Sequence, residues 1–287
     1  MTFPGVQNGI LQIFNVEHGG CALLTVPTHS GGVYRILIDC GHNSTTKWYP
    51  GEHLRKLGVN TLQLLVVTNY DEDHVSGLRN FVEQGVYIEQ VLRNPAVSPA
   101  TIEHLKTEDG MGTGIETLVR LLTIQPDLDV VGGNIPLPVS VDMQWFWNKY
   151  PHFEDENNLS LVLMLDVHGY RFMFCGDMEK AGFQNMLNTN ASFRAAVSQV
   201  HVLMAAHHGR QNGICEEMFD TWGCIPKVVV ISDDYKQYST QETSAYYARK
   251  AIGITGFRND LGLRKVLTTR RDGELWFSFQ NGYCLVG

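Results

Sequence analysis

The sequence predicts an α/β protein in which two β-sheets pack against each other and helices cover the outer faces. Three observations lead to this fold class: short β-branched and aliphatic runs recur along the chain, they come in two batches, and helical periodicity follows each batch. A sheet with one apolar face must bury it against another element. The 287 residues are 44% hydrophobic and 18% charged, which suffices for such a core and excludes a mainly disordered chain.

The predicted strands are joined in part by tight turns. Gly19-Gly20 and Gly31-Gly32 separate the first three runs, and Val167-His168-Gly169-Tyr170 joins a later pair, as is typical of antiparallel hairpins. The first batch of predicted strands covers residues 11–16, 21–26, 35–40 and 62–67, and the second covers 159–167, 170–175, 200–205, 227–232, 266–269 and 274–279.

Apolar residues at spacings of three and four predict helices between these strands, at 52–57, 77–83, 114–124, 182–187, 216–222 and 242–252. No repeat or flexible linker is visible, so residues 1–287 are predicted to form a single domain. The stretch from about 94 to 150 fits the order least well, and we expect it to be an insertion or cap, because long irregular loops are uncommon unless they are functional. Its Trp145-Phe146-Trp147 is interpreted as core aromatics in preference to a pocket lining.

Composition bears on location and partners. No apolar run approaches the roughly 18 residues of a membrane span, so no membrane insertion is expected. The first residues lack the pattern of a secretory signal, and the six cysteines are scattered without a CxxC pair, so a cytoplasmic protein with reduced thiols is expected. The sequence does not indicate which oligomeric state the protein adopts.

The net charge of −8 is unevenly distributed. Residues 249–271 hold seven Lys and Arg against the single acid Asp260, a local net charge of +6. This basic segment is either a strip that binds DNA or RNA or an ordinary solvated face.

Polar side chains follow three predicted strands at the point where each ends. The run 62–68 leads into Asn69-Tyr70-Asp71-Glu72-Asp73-His74, another ends in Gly176-Asp177, and a third ends in His207-His208-Gly209. Each motif alone has an ordinary interpretation: Asp71 or Asp73 as a helix cap, a common turn, or two solvated histidines. Together they favour a divalent metal site, because carboxylates and imidazoles at the ends of neighbouring strands are typical metal ligands.

These motifs resemble those of the metallo-β-lactamase superfamily. The loop after residue 68 is similar to T-H-x-H-x-D-H-x-G-G, and more closely to its form in freestanding and fused relatives of ComEC-type DNA-uptake proteins, in which the second His is often Asp. Residues 157–163 resemble that group's N-x-x-S-x-V-L, 174–177 its T-G-D, 202–209 its V-L-K-x-x-H-H-G, and 38–41 its L-I-D-x-G. The resemblance extends from about residue 11 to 279 and implies an αββα sandwich of two mixed sheets with a metal site at one sheet edge.

The resemblance also implies ligand roles. One metal ion would be held by Asp73, His74, Asp177 and one of the two adjacent histidines. The glycine that follows favours His208 as the ligand and leaves His207 to contact a phosphate oxygen or to donate a proton.

The second metal position implied by the resemblance would use Asn69, Asp71, a residue of the 157–160 segment and Asp177. An amide oxygen is a weak zinc ligand, so Asn69 predicts a second ion that binds loosely, prefers Mn²⁺ or Mg²⁺, or is absent. The expected cofactor is therefore Zn²⁺ or Mn²⁺ at one tight site. Further departures from the family are Asn15-Val16-Glu17-His18-Gly19-Gly20 for D-V-G-Q-G-D, residues 239–241 for G-H-P, and Arg210 for a serine.

The leading functional hypothesis is a metal-dependent hydrolase of phosphodiesters, namely a nuclease that uses metal-activated water. The catalytic candidates are Asp73, Asn69, His18, His207 and Arg210. Asp73 or Asp71 would orient the water, and His18, His207 and Arg210 would stabilise developing charge or protonate the leaving oxygen. Two alternatives stay open: a hydrolase of small esters, lactones, thioesters or cyclic nucleotides, and a degenerate binding module without activity, for which Asn69 is the main support.

Overall fold

The computed structural model describes residues 8–108, 110–130, 135–236, 239–280 and 282–287. The strands in this part of the chain are β1 (Ile10–Ile13), β2 (Ala22–Pro27), β3 (Val33–Ile38), β4 (Thr61–Leu62), β5 (Leu64–Val66), β6 (Tyr87–Ile88), β7 (Val91–Leu92), β8 (Val141–Phe146), β9 (Val162–Val167), β10 (Tyr170–Phe174), β11 (Val202–Met204), β12 (Val228–Ile231), β13 (Val266–Thr268), β14 (Leu275–Gln280) and β15 (Tyr283–Val286). The α-helices are α1 (Pro50–Lys56), α2 (Glu72–Val75), α3 (Leu78–Glu83), α4 (Pro99–Leu105), α5 (Thr113–Ile124), α6 (Lys180–Thr189), α7 (Ala191–Val197), α8 (Glu216–Asp220), α9 (Ser244–Lys250) and α10 (Thr269–Asp272).

Two mixed sheets form the centre of the molecule. Among the described residues, the first sheet has the order β15-β14-β1-β2-β3-β5-β7, and the second has the order β13-β12-β11-β10-β9-β8. The strands β3, β5 and β7 run parallel in the first sheet, as do β10 to β13 in the second, whereas the remaining neighbours are antiparallel. The short pair β4 and β6 stands apart.

The apolar side chains divide into layers that match this arrangement. One cluster fills the space between the sheets, with Leu24 and Ile36 from the first sheet against Leu163 and Phe172 from the second. A second cluster joins the outer face of the first sheet to α1, α3, α4 and α5, and a third joins the outer face of the second sheet to α6, α7, α8 and α9. The predicted α/β sandwich with helices outside is therefore confirmed.

The predicted hairpin at residues 167–170 has a clear conformational basis. His168 and Gly169 have φ angles of 52° and 83°, and this left-handed pair closes a two-residue turn between β9 and β10. Two positive φ angles give the turn the twist that antiparallel strands need. The dipeptide therefore sets the register of the hairpin that leads to Asp177.

Residues 94–150 contribute to both halves of the sandwich. Helices α4 and α5 pack on the first sheet, and β8 is an edge strand of the second. Phe146 is buried beneath the outer helices, and Trp145 and Trp147 pack against the cluster between the sheets. These aromatics are structural, and the proposal that this stretch is an insertion or cap of a single domain stays a prediction.

Two further expectations concern membrane-spanning helices and the state of the cysteines. Within the described ranges, no helix is both long and apolar enough to cross a membrane. The six cysteines are free thiols, five of them buried and Cys284 half-buried.

Candidate metal centre

The polar ends of two pairs of parallel strands meet at one edge of the sandwich. Asp39 follows β3 and the loop 68–74 follows β5, whereas Asp177 and the two histidines follow β10 and β11. A main-chain hydrogen bond from Leu161 N–H to Thr68 O, at 2.7 Å, joins the two sheets here. A second, from His207 N–H to Gly176 O at 3.0 Å, joins the ends of the neighbouring strands β10 and β11. The three predicted ligand motifs are thus brought to one place.

His74 is fixed between two carboxylates. Its Nε2 lies 2.9 Å from Asp177 Oδ1, and its Nδ1 lies 2.9 Å from Asp39 Oδ2. Asp39 also accepts Thr68 N–H at 2.7 Å and the Thr68 hydroxyl at 2.5 Å, so its position is determined by the same loop. A carboxylate on Nδ1 fixes the ring orientation and leaves Nε2 as the ligand atom.

His208 completes the cluster from the opposite sheet. Its Nε2 lies 3.2 Å from Asp73 Oδ2 and 3.3 Å from Asp177 Oδ1, whereas its Nδ1 is 3.2 Å from Ser232 O and 3.3 Å from Gly19 N. The backbone therefore engages Nδ1, and Nε2 faces the carboxylates.

The backbone of the Asp73 loop is closely surrounded by glycines. A Cβ at Gly19, whose φ is 133°, would lie 2.4 Å from Asp73 O, and a Cβ at Gly41 would lie 2.5 Å from the same oxygen. Only glycine fits such an approach. The glycines in the 15–20 and 38–41 motifs therefore permit the loop to reach the centre.

The residues present fit a divalent metal ion. Single ligand atoms of Asp73, His74 and His208 lie within 4.8 Å of one another, and Asp177 contacts both imidazoles. His208 Nε2 is buried and makes no regular hydrogen bond within the described chain, which leaves it free to act as a ligand. Two imidazole nitrogens with two carboxylates are a donor set for Zn²⁺ or Mn²⁺.

The titratable groups of this cluster are surrounded by opposite charges. Burial lowers the pKa of His208, but the Asp177 and Asp73 carboxylates outweigh burial and raise it to about 10. Burial likewise opposes a charge on His74, and the carboxylates of Asp177 and Asp39 raise its pKa well above the ordinary value. Burial raises the pKa of Asp73, but the histidines lower it to about 2. The carboxylates therefore stabilise positive charge at this position, supplied either by the protonated imidazoles or by a metal ion.

His207 stands beside this cluster rather than in it. Its Nε2 is 3.8 Å from Asp177 Oδ2 and accepts a hydrogen bond from Arg210 Nη1 at 3.0 Å, and its Nδ1 is 3.6 Å from Glu179 Oε1. Both histidines are buried, with φ angles of 50° and 52°, and this left-handed pair turns the two rings to different partners. The interpretation as solvated histidines is therefore wrong, and the geometry supports His208 as the ligand.

His18 lies at the margin of the centre. Its ring is 6.3 Å from the His208 ring and 5.9 Å from the Tyr235 ring, centroid to centroid, and its Nδ1 has no hydrogen-bond partner in the described chain. The structure thus brings His18 near the ligands without joining it to them.

At the predicted second metal position, the expected ligands are paired with a lysine and with one another. Asp71 occupies the N-cap position of α2, but its side chain caps nothing and instead pairs with Lys106 Nζ, which also contacts Glu156 Oε1 at 2.6 Å. Asn69 Nδ2 donates to Ser160 Oγ at 3.0 Å, and its Oδ1 accepts Asp71 N–H at 2.6 Å. Neither Lys106 nor Glu156 lies in a motif, so sequence reasoning does not identify them as part of this site.

Comparisons with known proteins bear on the family. The model of the metallo-beta-lactamase superfamily matches residues 30–220. The chain is 26% identical over 297 residues to ComE operon protein 3 of Bacillus subtilis (strain 168), a match that covers 96% of this chain and 34% of that relative. The chain therefore spans about a third of the length of this relative.

Several solved structures are similar to this chain at low sequence identity. CmlA, a diiron β-hydroxylase from Streptomyces venezuelae, has a TM-score of 0.47 and 14% identity, covering 86% of this chain and 51% of that chain. A long form RNase Z from yeast has a TM-score of 0.45 and 11% identity, covering 83% and 38%. A diphosphatase from the PhnP family has a TM-score of 0.45 and 10% identity, covering 97% and 100%. Because the family model matches well over half of its residues, this chain belongs to the metallo-beta-lactamase superfamily.

Proposed function

We propose that this protein is a metal-dependent phosphodiesterase that cleaves the backbone of a nucleic acid. The observation that carries the proposal is a largely buried ligand set of two carboxylates and two imidazoles, next to which His207 accepts a hydrogen bond from the Arg210 guanidinium at 3.0 Å. A phosphodiester is an anion, whereas most carboxylic esters are neutral, so a fixed cation next to the metal ligands favours phosphoryl substrates.

The ligand set would hold the ion through Asp73, His74, Asp177 and His208. A divalent ion bound there supplies Lewis acidity toward a phosphoryl oxygen and lowers the pKa of a bound water toward ~7. Asp73 is the least buried of the four, with 35% of its side chain exposed. Its carboxylate can therefore both face the ion and orient the attacking water from the solvent side.

His207 and Arg210 act as a unit in this proposal. Burial lowers the pKa of His207, so the ring is neutral at pH 7, and its Nε2 accepts the Arg210 hydrogen bond. The guanidinium is then held by an uncharged partner and keeps its full charge for the oxyanion that develops on phosphorus. His207 positions the arginine, and Arg210 stabilises the charge.

The basic segment 249–271 offers one group close to the centre. Arg270 lies in α10, directly after β13 at the sheet edge of the site, and its Nη2 is 3.5 Å from Asp233 Oδ2. Asp233 follows Ser232, whose carbonyl contacts His208. We propose that Arg270 and its exposed neighbour Arg271 contact the DNA or RNA backbone next to the scissile bond.

A small anionic ester is the second candidate substrate, and one observation favours it. Three cations of the basic segment are paired within the chain: Lys250 with Asp220, Arg264 with Asp272 at 2.7 Å, and Arg270 with Asp233 at 3.5 Å. Paired cations release few counterions, so they contribute little to polyanion binding. The buried free thiols agree with either substrate in a reducing compartment such as the cytoplasm.

A substrate panel tests the proposal. The metal-stripped protein is reconstituted with Zn²⁺, Mn²⁺ or Mg²⁺ and assayed on single- and double-stranded DNA, RNA, a cyclic nucleotide, a nitrophenyl phosphodiester and a nitrophenyl carboxylic ester. We expect phosphodiester cleavage that His208→Ala abolishes and His104→Ala, a change at an exposed histidine, leaves unaltered. Steep loss of activity with salt indicates a nucleic acid, whereas salt-independent turnover indicates a small ester. Absence of turnover on every phosphodiester would refute the proposal.

A further inference from the structure

A buried lysine lies next to the metal ligands. The side chain of Lys106, which follows α4, is only 4% exposed, and its Nζ contacts the carboxylates of Asp71 and Glu156. Two carboxylates in contact with Nζ stabilise the charged form of the lysine, so the side chain is an ammonium ion. A buried charge of this kind is kept only where opposite charges surround it.

This ammonium ion lies beside the loop that carries the metal ligands. Asp71 precedes Asp73 and His74 in the same loop, and Ser160 Oγ accepts hydrogen bonds both from Asn69 Nδ2 of this loop at 3.0 Å and from the Asp177 N–H at 3.2 Å. Asp71 and Glu156 thus direct two carboxylates to one buried point beside the first centre. Carboxylate oxygens converging on a buried point are what a hard divalent cation requires, and here the converging atoms meet Nζ instead.

Asn69 is also turned away from any ion at this point. Its Oδ1 is engaged by the Asp71 N–H at 2.6 Å, and its Nδ2 donates to Ser160 Oγ and to the Glu156 carbonyl, at 3.0 and 3.2 Å. An N–H group directed into the loop cannot coordinate a cation. The hydrogen bonds of Asn69 therefore fit a neighbouring ammonium ion and carboxylates better than a second metal.

We infer that the Lys106 ammonium ion takes the place of a second metal ion, so that the protein binds one divalent ion, at Asp73, His74, Asp177 and His208. A divalent cation brought to the same carboxylates would have to displace Nζ or be repelled by it. This inference rests on the metal site of the proposed function and is independent of its substrate. It identifies Lys106 as a residue that determines metal stoichiometry.

Metal stoichiometry tests this inference. The wild-type protein, Lys106→Ala and Lys56→Ala are dialysed against Mn²⁺ or Zn²⁺, and bound metal is measured by mass spectrometry while circular dichroism checks the fold. Lys56 is a matched control because its side chain is 78% exposed. We expect one equivalent for the wild type and for Lys56→Ala, and a second, weaker equivalent for Lys106→Ala, whose freed carboxylates are left without a cation.

A second variant and a second measurement keep the test decisive if Lys106→Ala does not fold. The double variant Lys106→Met, Asp71→Asn removes both charges of the pair and is expected to bind one equivalent. The electron paramagnetic resonance spectrum of the Mn²⁺-loaded wild type is expected to show an isolated ion. Two equivalents or a coupled pair in the wild type, or a single equivalent in folded Lys106→Ala, would overturn the inference. No metal in the wild type would instead refute the metal centre and the proposed function.

Discussion

Asp39 is expected to control metal affinity although it does not reach the metal position. Its Oδ2 accepts from His74 Nδ1 at 2.9 Å and from the Thr68 hydroxyl, and its Oδ1 accepts from Thr68 N–H at 2.7 Å. Asn at this position has the same shape and tolerates the left-handed backbone of residue 39, whose φ is 58°. The substitution Asp39→Asn therefore changes the acceptors without adding backbone strain.

The magnitude follows from the number of donors that converge on this carboxylate. An amide has one acceptor oxygen, so its NH₂ group must face either Thr68 N–H or the His74 ring. In the first orientation the ligand loop loses a buried hydrogen bond, and in the second Nε2 of His74 is driven to the protonated tautomer. Loss of an outer-shell carboxylate costs ~10- to 100-fold in metal affinity, which is about 1.4 to 2.8 kcal/mol.

The assay is a competition titration of Zn²⁺ between the protein and a chromophoric chelator at fixed pH. Asp127→Asn is the control, since Asp127 is exposed and lies far from the ligands in sequence. We expect the dissociation constant of Asp39→Asn to rise by ~10- to 100-fold, with that of the control unchanged. An unchanged affinity in Asp39→Asn, with the fold intact, would refute the claim that Asp39 orients His74.

Three further predictions follow from the same geometry. His208→Ala should weaken metal binding by more than ~100-fold, which exceeds the effect of losing an outer-shell residue. His207→Ala should retain the metal and lower the turnover number. Equal losses of metal in both variants would argue against His208 as the ligand. Metal binding should strengthen as pH rises from 6 to 8, by about tenfold per pH unit for each displaced proton. The reason is that the raised pKa values of His74 and His208 keep both rings protonated in the metal-free protein. Isothermal titration at several pH values would show a flat dependence if this assignment is wrong. Asp129→Ala should lower the free energy of unfolding by roughly 3 to 5 kcal/mol, since it leaves the buried Arg93 guanidinium without its carboxylate. A change below ~1 kcal/mol in urea denaturation would contradict the importance of this ion pair.

Much of the fold could be predicted because the strands carry strong local signals. The runs that became β1, β2 and β3 alternate or are continuously apolar and are separated by glycine turns. The sequence analysis does not predict strand β8, although buried and exposed residues alternate from Val141 to Gln144, because the surrounding stretch is interpreted as an insertion. Edge strand β15 alternates exposed and half-buried residues, but all four side chains are apolar or aromatic, so the alternation leaves no periodic signal in the sequence. The two-residue strands β6 and β7 are too short to produce a pattern.

The candidate ligands could be proposed because each lies at the end of a predicted strand. Their partners could not, since the contacts that define them join distant parts of the chain. Lys106 is 35 residues from Asp71 and 50 from Glu156, and no pattern in the sequence relates them. The same holds for the orientation of the adjacent histidines, which depends on two left-handed residues after β11. Side-chain networks of this kind depend on tertiary packing, which local sequence does not encode.

The location of bound metal tests the central claim most directly. Crystals of the protein equilibrated with Zn²⁺ or Mn²⁺ would give an anomalous difference map at the absorption edge of the metal. We expect one peak per chain, coordinated by Nε2 of His74 and of His208 and by the carboxylates of Asp73 and Asp177, with Lys106 Nζ still paired to Asp71. An empty ligand set, or a peak between Asp71 and Glu156 in place of the ammonium ion, would contradict the account.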